Sequence, residues 1–186
     1  MTIFLSVIAG VALSIIATAL FKRRFSFAAQ RPEDYVMAGP EFSIREHLNG
    51  PIQCEGVIYG PTGRVTSRFV ADFDASWQGN VGRMVEKFEY DSGTVQGREW
   101  VLTVSNDGAI QATAPDVIGT GTGQQAGNSV VLNYRIKLAD AAGGHVLDAT
   151  DWMYLTANGT IMNRSQFRKY GIKVAELVAT MRPKAA

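Results

Sequence analysis

The chain has 186 residues, of which 46% are hydrophobic, and its 18 Lys+Arg against 17 Asp+Glu give a formal net charge of +1. This balance argues against a nucleic-acid binder that works by counterion release and against a disordered, highly charged chain. One cysteine and two histidines exclude an intrachain disulfide and disfavour a structural zinc site, so no metal is expected, while 19 glycines against 6 prolines favour a turn-rich all-β chain.

The N-terminal segment is the most apolar part of the chain. Ile3 to Phe21 carries no charge and would be roughly 28 Å long as a helix, which is enough to span a bilayer core. A cleaved secretory signal is the alternative, but the run lacks a basic start and ends in Lys22-Arg23-Arg24 instead of a small-residue cleavage site. The sequence therefore predicts a single transmembrane anchor over residues 1–24.

Basic residues follow this segment but do not precede it. Lys22, Arg23, Arg24 and Arg31 all lie just after the apolar run. Because positive charge is enriched on the cytoplasmic side of membrane helices, this asymmetry predicts an inner-membrane protein whose following domain is cytoplasmic. A periplasmic domain remains the alternative.

Small residues recur every four positions in the same segment, at Ser6, Gly10, Ser14 and Thr18. Such a stripe permits close backbone approach and predicts a packing face for another transmembrane helix, either of a second copy or of a membrane complex. The alternative is that these residues are simply common in membrane helices.

The next two segments have little periodic pattern. Residues 25–40 mix polar and apolar positions and contain two prolines, which is typical of a juxtamembrane linker. Residues 41–50 place Phe42, Ile44 and Leu48 roughly on one side and end at Gly50, which predicts a short lid helix. The globular domain is expected to occupy residues 41–186.

Beyond Gly50 the apolar pattern changes to period two, which indicates β-strands separated by Gly- and Asn-containing turns. The last strand is the least distinct, since Val174 to Met181 also suits a helix. The predicted strands are Pro51–Tyr59, Arg64–Ala75, Asn80–Tyr90, Val95–Val104, Ala109–Val117, Ser129–Ala139, His145–Thr156, Thr160–Ser165 and Ile172–Arg182.

A meander of this kind must hide its edges, and closure into a barrel does so completely. We therefore predict an all-β fold, an antiparallel meander closing into a lipocalin-like barrel of about eight to nine strands, preceded by the transmembrane helix. An open β-sandwich is the alternative.

Two charged residues lie on apolar strand faces. Glu86 shares a face with Met84 and Phe88, and Arg98 shares one with Trp100 on the adjoining strand. Buried charges on neighbouring strands are expected to pair. The pair would either anchor the polar end of a ligand or act as a structural ion pair that fixes strand register.

A second polar group surrounds the predicted turn at Asn158-Gly159. Asp151 on one strand and Arg164 on the next are expected to pair across this hairpin. The orientation of Trp152 and Tyr154 stays open, because both faces of their strand carry apolar residues.

The glycine-rich segment 119–128 loosely matches a dinucleotide-binding fingerprint. A phosphate-binding loop must open a helix, however, and a strand is expected at Ser129. We therefore predict a long flexible hairpin loop at the barrel mouth.

The sequence contains no arrangement of residues that indicates a catalytic triad or an activated nucleophile. The protein is therefore expected not to be an enzyme and to use no cofactor.

Several short motifs of the soluble part occur together in one known family. They are Glu86-x-Phe88-x-Tyr90, Arg98-x-Trp100, Asp116-Val117-Ile118-Gly119 with Gly123, Gly127, Asn128 and Tyr134, Asp151-Trp152-Met153-Tyr154, Asn163-Arg164-Ser165, and Lys169-Tyr170-Gly171. Through these motifs the soluble part resembles a family of uncharacterised bacterial envelope-associated proteins of unknown function, many of which are lipoproteins.

The resemblance implies a calycin-type barrel but brings no activity, ligand or catalytic residue. The N-terminus departs from the family, because an uncharged helix stands where a lipidated cysteine is often found. The resemblance implies a periplasmic domain, whereas the flanking charges predict a cytoplasmic one.

The leading functional hypothesis is a membrane-tethered, non-enzymatic binding protein for a small apolar or amphipathic molecule, such as a lipid or a pigment-like compound. The rival is an accessory or assembly subunit of an inner-membrane complex, docking through its helix. The candidate ligand-binding residues are Glu86, Phe88, Tyr90, Arg98, Trp100, Tyr134, Asp151 and Arg164.

Overall fold

The N-terminal segment is helical, as its composition predicts. The computed structural model describes residues 2–184, without the side chains of residues 2, 3, 5, 22, 23 and 141, and its first element is helix α1 (Thr2–Arg24). The further prediction that α1 is a transmembrane helix is not supported. Within the described part of the chain, no helix combines the length and the apolar character needed to cross a bilayer.

After α1, the described residues form ten antiparallel strands, the short helix α2 (Ile44–His47) and three short 3-10 helices. The strands are β1 (Gly50–Tyr59), β2 (Val65–Gln78), β3 (Val81–Tyr90), β4 (Val95–Val104), β5 (Ala109–Thr113), β6 (Gly121–Ala126), β7 (Ser129–Lys137), β8 (Val146–Leu155), β9 (Ile161–Lys169) and β10 (Ile172–Pro183).

Each strand pairs with its neighbours in sequence, and β1 pairs with β10 to close the sheet. The predicted antiparallel meander and its closure into a barrel are therefore confirmed, and the open sandwich is excluded. Closure satisfies the backbone groups that an open sheet would leave at its edges. The predicted count of eight to nine strands is wrong, because the barrel has ten.

The strand that the prediction missed is β6, which lies in the glycine-rich segment taken for a flexible loop. A Cβ atom on Gly123 would lie 2.2 Å from the carbonyl oxygen of Val131 on the neighbouring strand β7. Only glycine permits this close approach of the two backbones. Glycines also carry no apolar alternation, so a strand built around them has no period-two signature.

The barrel interior follows the alternation read along the other strands. On β2, Ala71, Phe73 and Ala75 are buried, whereas the intervening Asp72 and Asp74 are exposed. Outward polar and inward apolar side chains therefore alternate as predicted, and the inward set forms one continuous core.

One end of this core is closed by α2 and its flanking residues. Phe42, Ile44 and Leu48 are almost completely buried, at 0%, 2% and 3% exposure. The indole Nε1 of Trp77, beside the β2–β3 turn, donates a hydrogen bond of 2.8 Å to the carbonyl oxygen of Leu48. The short lid helix expected before the first strand thus seals the barrel on the side of the β2–β3 turn.

The segment predicted to be a juxtamembrane linker instead packs on the outer wall of the barrel. Phe27, in a short 3-10 helix (Phe27–Ala29), is buried against Val131 and Trp152. The ring of Tyr35 lies 5.3 Å from that of Trp152, and the Tyr154 hydroxyl donates to Oε1 of Gln30. Both faces of β8 are apolar because one lines the core and the other carries this segment.

Candidate functional site

A cavity of about 120 Å³ lies inside the barrel. Its walls are largely apolar and include Cys54, Phe73, Met84, Leu102 and Met153. Polar side chains also reach it, which is unusual for a region so far from solvent. These polar residues are Glu86, Arg98, Tyr134, Asp151, Asn163 and Ser165.

Glu86 is the most deeply buried of the charged residues in this cavity. Its position on β3 between Met84 and Phe88 turns its side chain inward, as the sequence predicts, and only 6% of it is exposed. Its Oε2 atom has no hydrogen-bond partner among the described residues. Burial raises the pKa of the Glu86 carboxyl to about 7, although the positive charge of Arg98 acts in the opposite direction.

Arg98 lies directly opposite Glu86 in the β3–β4 register. The predicted ion pair between them is nevertheless wrong, because the guanidinium is held elsewhere. Its Nε and Nη2 atoms donate to Oδ2 of Asp116 at 3.0 and 2.6 Å, and its Cζ lies 5.5 Å from the centre of the Trp100 ring. Asp116 reaches Arg98 from the connection between β5 and β6, outside any strand.

Tyr134 and Asp151 form the opposite wall of the polar region. The Tyr134 hydroxyl donates to Oδ2 of Asp151 at 2.8 Å, and its ring packs edge-on against Trp100 with centroids 5.2 Å apart. Burial raises the pKa of Asp151, although the hydrogen bond from Tyr134 opposes the rise. Two carboxyl groups, those of Glu86 and Asp151, thus face one cavity.

Arg164 does not belong to this site, so its predicted pairing with Asp151 is wrong. Asp151 pairs in register with Ser165, whereas Arg164 pairs with Trp152 and shares its outward face. The Arg164 Nε donates to Oε1 of Glu176 at 2.5 Å, and its guanidinium covers the ring of Phe27. A shift of one residue along a strand moves the side chain to the opposite face of the sheet.

The remaining candidate residues occupy the end of the interior away from α2. Phe88 and Tyr90 are partly buried, and their rings stack with centroids 6.1 Å apart. The structure therefore brings six predicted residues to the cavity wall and places Tyr90 beside it. Those six are Glu86, Phe88, Arg98, Trp100, Tyr134 and Asp151.

Sequence reasoning missed two residues that shape this site. Asp116, the partner of Arg98, lies in an irregular connection where no periodicity reports its direction. Cys54 lines the cavity from β1, and burial raises the pKa of its thiol to about 12. Cys54 lies two residues after Ile52 on the same strand, and this period-two spacing could have predicted that its side chain points inward.

Within residues 2–184 as described, no three His, Cys, Asp or Glu side chains cluster as metal ligands would.

Comparison with known proteins supports the resemblance to a family of unknown function; the bacterial and envelope-associated character of that family stays a prediction. Residues 23–183 match the family described as "Protein of unknown function (DUF3833)". The chain belongs to this family. No curated protein matches the DUF3833 chain.

Two solved structures have a similar fold. An S-type phycobiliprotein lyase, CPES, from Guillardia theta is 12% identical, with a TM-score of 0.58 over 77% of this chain and 92% of that chain. Rv2717c from M. tuberculosis is 14% identical, with a TM-score of 0.56 over 80% of this chain and 99% of that chain. At such identities the likeness shows a shared lipocalin-like barrel fold alone.

Proposed function

We propose that the DUF3833 barrel is a non-enzymatic binding protein that holds a small apolar or amphipathic molecule in its interior. The observation that carries this proposal is the cavity of about 120 Å³, in which a buried carboxyl oxygen of Glu86 has no partner among the described residues. A buried polar atom without a partner is costly unless a ligand or water satisfies it. Apolar walls with a few convergent polar groups are typical of small-molecule sites.

The dimensions of the cavity limit the ligand. An apolar cavity of about 150 Å³ accepts a benzene-sized molecule, so this interior suits a short alkyl chain or a single ring. The end of the interior opposite α2 is surrounded by the partly buried Phe88, Tyr90 and Phe167. A larger amphipathic molecule would place part of its body at that end.

Titration calorimetry of the purified protein with straight-chain alcohols from butanol to octanol tests the proposal. The wild-type protein binds them with affinity that rises with chain length until the cavity is filled. Cys54→Leu fills part of the cavity and weakens binding, whereas Gln53→Leu, the neighbouring outward position of β1, leaves it unchanged. If the folded wild-type protein binds none of the alcohols, the proposal is overturned.

A second candidate function, an accessory or assembly subunit, is favoured by the exposure of α1. Phe4, Val11 and Leu20 are 71%, 55% and 61% exposed, and a Cβ on Gly10 would meet no other atom within 4 Å. Exposed apolar surface of this extent favours association with another helix. The inner-membrane location and the side of the membrane stay predictions.

The stripe of small residues provides the test of this second function. The double variant Gly10→Leu, Ser14→Leu places two large side chains on the stripe. It is expected to abolish co-migration with partner proteins on a native gel. Leu13→Ile, which lies off the stripe and is 67% exposed, leaves co-migration intact. Unchanged co-migration of the double variant would exclude the stripe as the contact.

A further inference from the structure

The polar part of the cavity has more hydrogen-bond acceptors than donors. Two buried carboxyl oxygens on residues of the cavity wall have no partner among the described residues: Oε2 of Glu86 and Oδ1 of Asp151. Oδ1 of Asp116, whose other oxygen bonds Arg98, also has none among those residues. Carboxylates act only as acceptors when ionised. A ligand that completes this site must therefore bring donors.

Arg98, Tyr134 and Ser165 are donors in this region that are already engaged. The Arg98 guanidinium donates twice to Asp116, the Tyr134 hydroxyl donates to Asp151, and the Ser165 hydroxyl donates to Oδ1 of Asn163. An anionic ligand would have to compete with Asp116 for Arg98. It would also meet the carboxyl groups of Glu86 and Asp151 at the same cavity wall.

We propose that the cavity selects an organic amine: a molecule with a short alkyl or single-ring body and an ammonium group that donates to the carboxylates of Glu86 and Asp151. This inference rests on the proposed binding function and names its ligand class. The body lies against apolar walls such as Phe73 and Met153, and the ammonium lies at the polar end. An ammonium supplies three donors and reduces the excess of negative charge.

Charge balance supports an amine over a neutral or acidic ligand. The polar region holds the carboxyl groups of Glu86, Asp116 and Asp151 against one guanidinium, that of Arg98. A buried charge is tolerated when it is paired and hydrogen-bonded. One bound ammonium therefore gives an ionised Glu86 a cationic partner and lowers the excess of negative charge in this region from two to one.

The test is a matched series of ligands that differ only in the polar group: n-butylamine, n-butanol and n-butyrate, titrated calorimetrically into the intact protein at pH 8. Because hydrogen bonds to charged groups are stronger than neutral ones, butylamine binds roughly ten- to a hundred-fold more tightly than butanol, and butyrate binds most weakly. Glu86→Gln removes most of the preference for the amine over butanol. Glu89→Gln, at an exposed position of the same strand, leaves the preference unchanged.

The outcomes separate the two proposals. Binding of butanol and butyrate as tight as that of butylamine overturns the amine inference and leaves the binding function intact. An amine preference that survives in Glu86→Gln also overturns it. Absence of binding by all three compounds, together with the longer alcohols, overturns the binding function itself. Thermal unfolding of each variant confirms that a loss of binding reflects the site and not the fold.

Discussion

Glu86 and Arg98 lie directly opposite each other on β3 and β4, yet the Arg98 guanidinium makes its hydrogen bonds to Asp116. The arrangement leaves Glu86 as a carboxyl group in an apolar interior with a positive charge nearby but not bonded to it. The effect of burial outweighs that of the Arg98 charge and raises the pKa of the Glu86 carboxyl to about 7. Several measurable properties depend on this balance.

The stability of the protein should fall between about pH 4.5 and pH 7 through Glu86. The carboxyl group has a higher pKa in the folded state than its ordinary value of 4.5, so its contribution is fully present below pH 4.5 and is lost as the pH rises through about 7. The full shift corresponds to about 3 kcal/mol of unfolding free energy. Urea denaturation at pH 5 and pH 8 measures it.

Glu86→Gln provides the comparison for this pH effect. The amide cannot ionise, so the difference in stability between pH 5 and pH 8 is smaller in the variant than in the wild type. Glu89→Gln, whose side chain is exposed on the same strand, retains the wild-type difference. Equal pH dependence in Glu86→Gln and the wild type would contradict the assignment.

Arg98→Met should destabilise the barrel by about 3 kcal/mol. It leaves the Asp116 carboxylate, whose side chain is only 25% exposed, without its cation. Arg83→Met removes an ion pair with Glu99 whose side chains are 64% and 38% exposed, and should cost less than about 1 kcal/mol. Chemical denaturation of both variants tests the difference. Similar losses would show that the Arg98 pair is no better shielded than the surface pair.

Gly123→Ala should destabilise the protein by about 3 kcal/mol, because the added methyl group would lie 2.2 Å from the Val131 carbonyl oxygen. Gly97→Ala is the matched control, since its nearest atom, the carbonyl oxygen of Glu86, is 3.8 Å away. That control should alter stability by less than about 1 kcal/mol. Thermal unfolding of the two variants decides whether β6 and β7 require the close approach.

Phe27→Ala should loosen residues 25–40 from the outer wall while leaving the barrel folded. It removes a ring buried between Val131 and Trp152 and should cost roughly 2–3 kcal/mol of local stability. Hydrogen exchange at the amides of Asp34 and Ala38, which donate within this segment, should accelerate. Phe25→Ala removes a ring that is 69% exposed and should leave these exchange rates unchanged.

The sequence was sufficient to predict the strands along which buried and exposed residues alternate. Met84, Glu86 and Phe88 alternate with exposed residues, so the inward direction of Glu86 followed from its neighbours alone. The same local rule placed Arg98 beside Trp100. Closure of the barrel followed from the need to pair the edges of a long meander.

The errors arose where alternation carries no information. Glycines gave β6 no apolar period, although the close approach at Gly123 is what makes that strand possible. Both faces of β8 are apolar, so Asp151 could not be distinguished from an outward residue and was paired with Arg164. The partner of Arg98 lay in an irregular connection, where the direction of Asp116 depends on tertiary contacts.

The pairing of β1 with β10 has a consequence for biosynthesis. As the nascent chain leaves the ribosome, β1 must wait with its outer edge unmatched until the tenth strand emerges. A ribosome stalled between β9 and β10 would present two open sheet edges to other chains, and such edges promote aggregation. Protection of the β1 edge until β10 emerges should therefore raise the yield of folded protein.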